Sequence, residues 1–208
     1  MIRQAIFSTR IRALFCCVTL MLAGCATVPP PSMSVDEIAS LKLVGVEVHG
    51  VEVIRSWPVQ EKRFLAANTD PEIARRLPDE SAQNFPPVQA YFQAALQRIF
   101  TDQLQSMLAP VMRGVRPVKA IVTLKQFDVP SVVRRVLVDQ YAKIQLTIDL
   151  VDTKTNALIL SYPGPYHQQW LLGGLSAPIA DAIAGDNDPE NALIANYVLD
   201  YRTWLVTR

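Results

Sequence analysis

A strict alternation of aliphatic and mostly polar residues between positions 141 and 152 limits the fold of this chain more than any other feature. The alternating run comprises Lys143, Ile144, Gln145, Leu146, Thr147, Ile148, Asp149 and Leu150. A period of two predicts a β-strand in a sheet that is packed on one side and wet on the other. Residues 152–156 carry turn chemistry, so residues 158–162 are expected to return as the hairpin partner.

Two more strands are predicted before this hairpin. In residues 118–127 the apolar positions again alternate with polar ones. Residues 43–54 are rich in valine, but their apolar phase shifts by one residue after Gly50. Because such a shift moves side chains to the other face of a sheet, we expect a bulge, or a break into two strands, at His49-Gly50.

Two amphipathic helices are predicted at residues 88–108 and 189–206. The first helix has prolines at its start and at its end, and its apolar stripe comprises Val88, Phe92, Ala95, Leu96, Ile99, Phe100, Leu104, Met107 and Leu108. Its polar residues are expected to lie largely opposite: Gln93, Gln97, Arg98, Asp102 and Gln105. The stripe of the second helix comprises Leu193, Tyr197, Tyr201, Trp204 and Leu205. These elements predict an α+β domain, with about four strands in an antiparallel or mixed sheet and both helices on one face.

The connecting segments carry weaker patterns. Residues 57–87 are rich in proline and are expected to be irregular, apart from a short helix around residues 72–77. A short helix is also predicted at residues 176–184. Residues 128–140 are expected to be a loop, in which Arg134 and Arg135 are either solvated or available for phosphate head groups or a partner's carboxylates.

The N-terminal residues have the layout of an export signal. Three arginines precede an apolar run at residues 13–22, which is about half of the roughly 20 residues that span a bilayer. The run ends in Leu22-Ala23-Gly24-Cys25, which resembles the lipobox of bacterial lipoproteins. This resemblance implies cleavage between Gly24 and Cys25 and attachment of lipid chains such as palmitate to Cys25. The alternatives are an ordinary secretory signal and an uncleaved membrane anchor.

The mature chain would then begin with residues 25–33, a lipidated cysteine and a proline-rich tether, followed by a single domain at residues 34–208. Ala26 follows the lipidated cysteine. By the sorting rule known for enterobacterial lipoproteins, this residue implies the outer membrane, with the domain facing the periplasm. The inner membrane is the alternative.

Charge and cysteine content exclude several classes of function. The chain has 20 basic and 19 acidic residues, and loss of three arginines with the signal leaves 17 − 19 = −2. A faintly acidic protein is a poor candidate for binding nucleic acid. Cys16 and Cys17 also leave with the signal, so no disulfide or cysteine metal ligand is expected in the domain.

Patterns for catalysis and metal binding are sparse. Neither His49 nor His167 belongs to a phosphate-loop, zinc-protease or serine-hydrolase motif. Asp186, Asp188 and Glu190 alternate like the start of a calcium loop, but the later ligands do not follow, and Asp188 as a helix cap explains them more simply. We therefore expect no catalytic residue, metal or cofactor. A periplasmic hydrolase using His167 is the alternative, because catalytic triads assemble across a fold.

One segment is a candidate contact surface. Aromatic and leucine residues are concentrated in a stretch that reads as a loop: Tyr162, Tyr166, Trp170, Leu171 and Leu172. Such residues are enriched in interfaces, so they are expected either to contact a protein or lipid or to close one end of the core.

The residues from 94 to 160 resemble small periplasm-facing envelope lipoproteins. In those proteins a helix of the type Ala94-Ala95-Leu96 precedes strands that end in a Leu-x-Asp-x-x-Thr-Gly hairpin. Here residues 150–156 have that pattern, with Asn156 in place of the usual glycine. The mature chain also resembles an uncharacterised alphaproteobacterial lipoprotein family, and its architecture is similar to that of lipopolysaccharide-assembly lipoproteins and ABC-transport auxiliary lipoproteins. The resemblance implies a non-catalytic binding, assembly or transport accessory factor. A purely structural lipoprotein is another interpretation.

Overall fold

The computed structural model describes residues 28–76, 85–138, 140–171 and 189–207, which surround a mixed sheet of five strands. The strands are β1 (Leu41–His49), β2 (Arg116–Asp128), β3 (Tyr141–Asp152), β4 (Leu158–Tyr162) and β5 (His167–Trp170). β1 pairs with β2 in parallel, whereas β3 pairs antiparallel with β2, β4 and β5. β4 and β5 lie along the same side of β3 and form one interrupted edge. The predicted α+β fold with a mixed sheet is confirmed, and β5 is a strand that the sequence did not predict.

The predicted break at His49-Gly50 is also confirmed. Gly50 has a left-handed backbone conformation, with φ of 89°, and a 3-10 turn at Val51–Val53 follows it. The chain then returns to the sheet through a single parallel bridge between Ile54 and Phe127. A bulge that the sequence analysis missed lies earlier, at Val44, where the pairing register with β2 shifts.

The helices are α1 (Val35–Ala39), α2 (Pro58–Ala67), α3 (Pro71–Arg76), α4 (Pro86–Leu108), α5 (Val132–Leu137) and α6 (Pro189–Val206). α4 and α6 pack on each other, and they cover one face of the sheet, α4 against β1 and α6 against β3. Eight of the nine residues in the predicted α4 stripe are buried, and Met107 is partly buried. In α6, Trp204 is only partly buried, whereas Ile194 and Val198 join the core. The other face of the sheet carries the polar residues of the alternating strands.

The expectation of an irregular segment at residues 57–87 is wrong for residues 58–67, which form α2, whereas the short helix predicted around residues 72–77 is present as α3. α2 begins with Pro58 in its first turn, and the Trp57 N–H donates to the Glu61 carboxylate at 3.0 Å, which closes the helix start. Trp57 itself is fully buried between Phe92 and Phe127, with ring centroids 5.3 and 5.0 Å away. Proline therefore marks helix starts here, as it commonly does. Residues 77–84, and the helix predicted at 176–184, lie outside the described residues.

The chain enters the domain beside the last turns of α6. Trp204 donates its indole N–H to the Pro29 carbonyl at 2.6 Å, and Val28 and Met33 pack against the core. Ser34 then caps α1 in a reciprocal capping box with Glu37, which lowers the pKa of the Glu37 carboxyl through hydrogen bonds from Ser34. The described end of the predicted tether thus contacts α6, on the helix-covered side of the sheet.

Candidate functional site: an apolar surface at one end of the sheet

The structure divides the predicted contact segment into buried and exposed residues. Tyr162 is only 3% exposed and Leu171 is also buried, whereas Tyr166 and Trp170 are exposed. Leu172 lies outside the described residues. For Tyr162 and Leu171, the interpretation that they close the core is therefore correct, and a contact surface can use only Tyr166 and Trp170.

Tyr162 is buried because it pairs with Ile148 on the helix-covered face. Its ring packs against Tyr201 at 5.2 Å and against Trp204 at 4.9 Å between centroids. Burial, together with the nearby charge of Asp200, raises the pKa of Tyr162 to about 12. The side chain is thus a neutral core residue that cannot reach a partner.

The edge strand is interrupted between β4 and β5 at Pro163-Gly164-Pro165. The interruption leaves the Leu146 backbone without a strand partner on the β4–β5 side, and the Tyr197 hydroxyl of α6 takes that place. Its oxygen lies 2.8 Å from the Leu146 carbonyl oxygen, 3.2 Å from that of Pro165 and 3.4 Å from the Leu146 nitrogen. Burial raises the pKa of Tyr197, so the group stays protonated and can donate. Gly164, with φ of 46°, lets the chain pass close to this hydroxyl.

β5 resumes the pairing with β3 beyond the interruption and ends in an exposed aromatic pair. Tyr141 and Trp170 are directly opposite each other, on the face that α4 and α6 leave uncovered. The Trp170 indole N–H donates to the Gln140 side chain at 3.0 Å, which fixes the orientation of the ring. The Gln168 amide donates to the Tyr166 hydroxyl at 2.8 Å. The exposed side chains of β5 are therefore held in place by neighbouring polar groups.

The connection from β2 to β3 is not the expected loop, because it contains α5. Ser131 caps this helix, and its hydroxyl accepts from the Arg134 N–H at 3.3 Å. The Arg134 guanidinium donates two hydrogen bonds to the carboxylate of Asp128, at 2.7 and 3.0 Å. Asp128 is buried at the end of β2 and is paired with Lys143 in the register of the sheet. A bidentate pair of this kind has a defined geometry and holds α5 at the uncovered face.

The two arginines of this helix therefore do not serve as the solvated or ligand-binding pair that the sequence suggested. Arg134 is engaged by Asp128 and Arg135 is buried. The aliphatic residues face water instead: Leu137 is 74% exposed and Val138 is 82% exposed, and Val133 and Val136 are exposed as well. The usual arrangement of a surface helix is reversed, since its charges point inward and its apolar stripe points outward.

We use the name apolar end surface for the exposed apolar residues of α5 and of the adjoining end of β3 and β5: Val133, Leu137, Val138, Tyr141 and Trp170. Gln140 connects its two parts, because it follows Val138 by two residues and accepts the hydrogen bond from Trp170. Isolated apolar side chains are normal on protein surfaces, but a contiguous group typically marks an interaction site. The valines of α5 were visible in the sequence at a helical spacing, but the spacing alone did not show which side faces water.

The histidines lie elsewhere. His167 points to the helix-covered face, where its Nδ1 is 3.4 Å from a carboxylate oxygen of Asp200 and its ring is 4.6 Å from that of Tyr197. No serine or threonine of the described residues hydrogen-bonds to it. His49 is exposed beside Glu47. Within residues 28–76, 85–138, 140–171 and 189–207, no group of three acidic, histidine or cysteine side chains is placed to hold a metal. Asp186 and Asp188 lie outside those ranges.

The lipobox, with Gly24 and Cys25, also precedes the first described residue. Of the helices that the structure describes, none combines the length and the apolar character that crossing a bilayer requires.

Comparisons with known proteins give structural neighbours at low similarity. No family model and no curated protein matches the chain. Among solved structures, a variant of a PelC dodecamer from Paraburkholderia phytofirmans has a TM-score of 0.36 at 14% identity, covering 88% of this chain and 98% of the other. A protein described as a "putative lipoprotein" from Caulobacter crescentus has a TM-score of 0.33 at 17% identity, covering 53% and 80%. At these TM-scores the neighbours carry no argument about the function of this chain.

Proposed function

We propose that this chain is a lipid-anchored protein of the bacterial cell envelope whose domain binds a partner protein as a non-catalytic assembly or transport accessory factor. The anchor is the lipid on Cys25, and the domain faces the periplasm from the outer membrane. The string Leu22-Ala23-Gly24-Cys25 and the preceding basic and apolar segments support this anchoring. Mass spectrometry of the membrane fraction tests it, since a polypeptide starting at an unmodified Cys25, or at Met1, would contradict it.

The apolar end surface is the observation that supports a binding role. Leu137 and Val138 are held outward because Arg134, on the same short helix, is engaged by Asp128. Covering a leucine side chain of this kind is worth roughly 1.5–3 kcal/mol, so the surface gains free energy when a partner covers it. Without a bound partner, these apolar side chains would remain exposed to water.

The test compares two exposed leucines at opposite ends of the sheet. Leu137 lies in the apolar end surface, whereas Leu158, 62% exposed, lies at the start of β4. A photo-crosslinking residue at position 133 of the full chain is activated in intact cells. We expect Leu137→Glu to reduce the crosslinked partner at least tenfold, about 1.4 kcal/mol. We expect Leu158→Glu to leave it unchanged.

Leu137→Glu and Leu158→Glu should both have the melting temperature of the unmodified protein, because both leucine side chains are already exposed to water. Equal crosslinking in the two variants would contradict the binding role. Among the described residues, the contact of His167 with the Asp200 carboxylate favours the hydrolase alternative. Turnover of ester substrates by the purified chain that disappears in His167→Ala would support that alternative.

A further inference from the structure

The register of β5 shows which of its backbone groups are free to pair. The Leu171 N–H donates to the Gln140 carbonyl at 2.8 Å, and hydrogen-bonded and non-hydrogen-bonded pairs alternate along an antiparallel ladder. Gln169 and His167 therefore pair with β3, whereas the N–H and C=O groups of Gln168 and Trp170 point to the outer side of the sheet. In the described part of the chain, no strand pairs with that outer side.

From this edge we propose that β5 takes up an extended and mainly apolar segment of a partner protein as an additional strand, whose side chains extend over the apolar end surface. This inference rests on the proposed function and specifies the form of the partner. Strand addition is a common mode of peptide recognition, in which backbone hydrogen bonds supply affinity and adjacent side-chain contacts supply specificity.

The sequence of β5 lacks the usual protection against strand addition. Edge strands are commonly protected by proline, by lysine or by an element that covers them. Pro163 and Pro165 interrupt the edge before β5, but residues 167–170 contain neither proline nor lysine. Its four residues form a short edge that still presents the backbone groups of two of them outward.

The exposed side chains beside the edge favour an apolar segment. Arg134 is engaged by the buried carboxylate of Asp128. The rings of Tyr141 and Trp170 are exposed, so an apolar strand gains free energy by covering them.

The same geometry favours a peptide over a lipid bilayer as the occupant. Hydrocarbon cannot satisfy backbone N–H and C=O groups, so inserting the β5 edge into a bilayer would leave those of Gln168 and Trp170 unpaired. In addition, the chain reaches the domain at Pro29, on the helix-covered side of the sheet, whereas Trp170 lies on the uncovered side. The point at which the chain enters the domain and the apolar end surface are thus on different faces.

A proline substitution can test the backbone requirement directly. Gln168→Pro removes an outward N–H and keeps the bonds to β3, because proline is tolerated on an edge strand where its nitrogen faces outward. In intact cells, with the photo-crosslinking residue at position 137 of the full chain, we expect Gln168→Pro to reduce the partner crosslink at least tenfold. Gln168→Ala, which keeps the N–H, should leave it within twofold. The melting temperatures of both variants show whether the fold is kept.

A second measurement does not depend on that variant. Crosslinkers placed singly at positions 166, 168 and 170 should map, in order, to one partner segment of about five residues, because a strand rises about 3.3 Å per residue. Crosslinks to phospholipid, to this chain alone, or without such order would overturn the proposal. If Leu137→Glu abolishes the partner crosslink and Gln168→Pro does not, strand addition is wrong and the binding role stands. If neither variant affects it, both proposals fail.

Discussion

Both edges of the sheet have backbone N–H and C=O groups that no further strand pairs with. The groups that cover them differ between the two edges. At the β1 edge, the Gln97 amide of α4 donates to the Val46 carbonyl at 2.7 Å and accepts from the Val48 N–H at 3.2 Å. Gln93 donates to the Val48 carbonyl at 2.7 Å. These two side chains take the place of the next strand at Val46 and Val48. A side-chain amide can imitate a strand because it carries one donor group and one acceptor like the backbone itself.

At the β4–β5 edge, a single tyrosine hydroxyl covers only the gap. Tyr197 compensates for the missing partner of Leu146, and the strand residues on either side keep an outer side that no described strand covers. Among the described residues, side chains of α4 thus pair with the backbone of Val46 and Val48 at the β1 edge, whereas the outer backbone groups of Gln168 and Trp170 have no strand partner. Three substitutions can break or sharpen this contrast, and their expected effects decrease in the order given.

Gly164→Ala should be the most damaging of these substitutions. An added Cβ would lie 1.9 Å from the Tyr197 hydroxyl and 2.0 Å from the Leu146 carbonyl oxygen, at a backbone conformation with positive φ. Backbone strain and the displaced hydroxyl together should cost about 3 kcal/mol or more. Urea unfolding of the purified domain measures this loss.

Gly45→Ala is the matched control for that substitution. Its Cβ would have only ordinary contact, with the Lys119 Cβ 3.8 Å away, and Gly45 lies in a strand. The free energy of unfolding should change by less than about 1 kcal/mol. Similar losses in the free energy of unfolding for Gly164→Ala and Gly45→Ala would show that the chain is not tightly packed at the gap.

Tyr197→Phe should have the next largest effect. It removes the hydroxyl that occupies the gap and leaves the buried Leu146 carbonyl without that donor, which typically costs 1–3 kcal/mol. Tyr201 offers the comparison, since its hydroxyl is buried with no hydrogen-bond partner among the described residues. Tyr201→Phe should therefore leave thermal stability unchanged or raise it. A larger loss of stability for Tyr201→Phe than for Tyr197→Phe would show that the hydroxyl at the gap does not stabilise the fold in this way.

Gln97→Ala should have the smallest effect, because the β1 edge has a second glutamine. It removes two hydrogen bonds to the β1 backbone, at about 1 kcal/mol or less net for groups that water can partly reach. Gln105→Ala, at an exposed position of the same helix, is the control and should be neutral. Faster amide exchange at Val48 in the first variant alone would confirm the role of the side chain. Unchanged exchange at Val48 would show that Gln97 does not protect the edge.

The sequence predicted those parts of the fold that have a strong period. The alternating β3 and the long stripe of α4 were assigned correctly, because many residues report the same period. Asn156 replaces the usual glycine of the hairpin pattern, and its φ of 55° is a left-handed conformation that asparagine adopts more readily than most residues. β5 could not be predicted, since His167–Trp170 contains no apolar alternation.

The candidate site was only partly predictable, because its character depends on neighbours that are distant in sequence. Gln93 and Gln97 were expected to lie largely opposite the buried stripe. Their hydrogen bonds to β1 were not predicted, since a helical wheel does not show the β1 backbone beside them. Arg134 could be assigned only after the structure placed Asp128 within reach. For Tyr162 and Trp170, the pairing position along β3 determines which of them is buried.

The hydrogen bond between Trp204 and Pro29 limits how far the domain could move from a lipid on Cys25. Pro29 is four positions after Cys25, and a fully extended chain advances at most about 3.6 Å per residue, so this connection is at most about 14 Å long. With a lipid on Cys25, the domain would search a thin layer above the bilayer and not the whole compartment. A partner held in that same layer would meet it at a high effective concentration, so even a weak contact could be occupied most of the time.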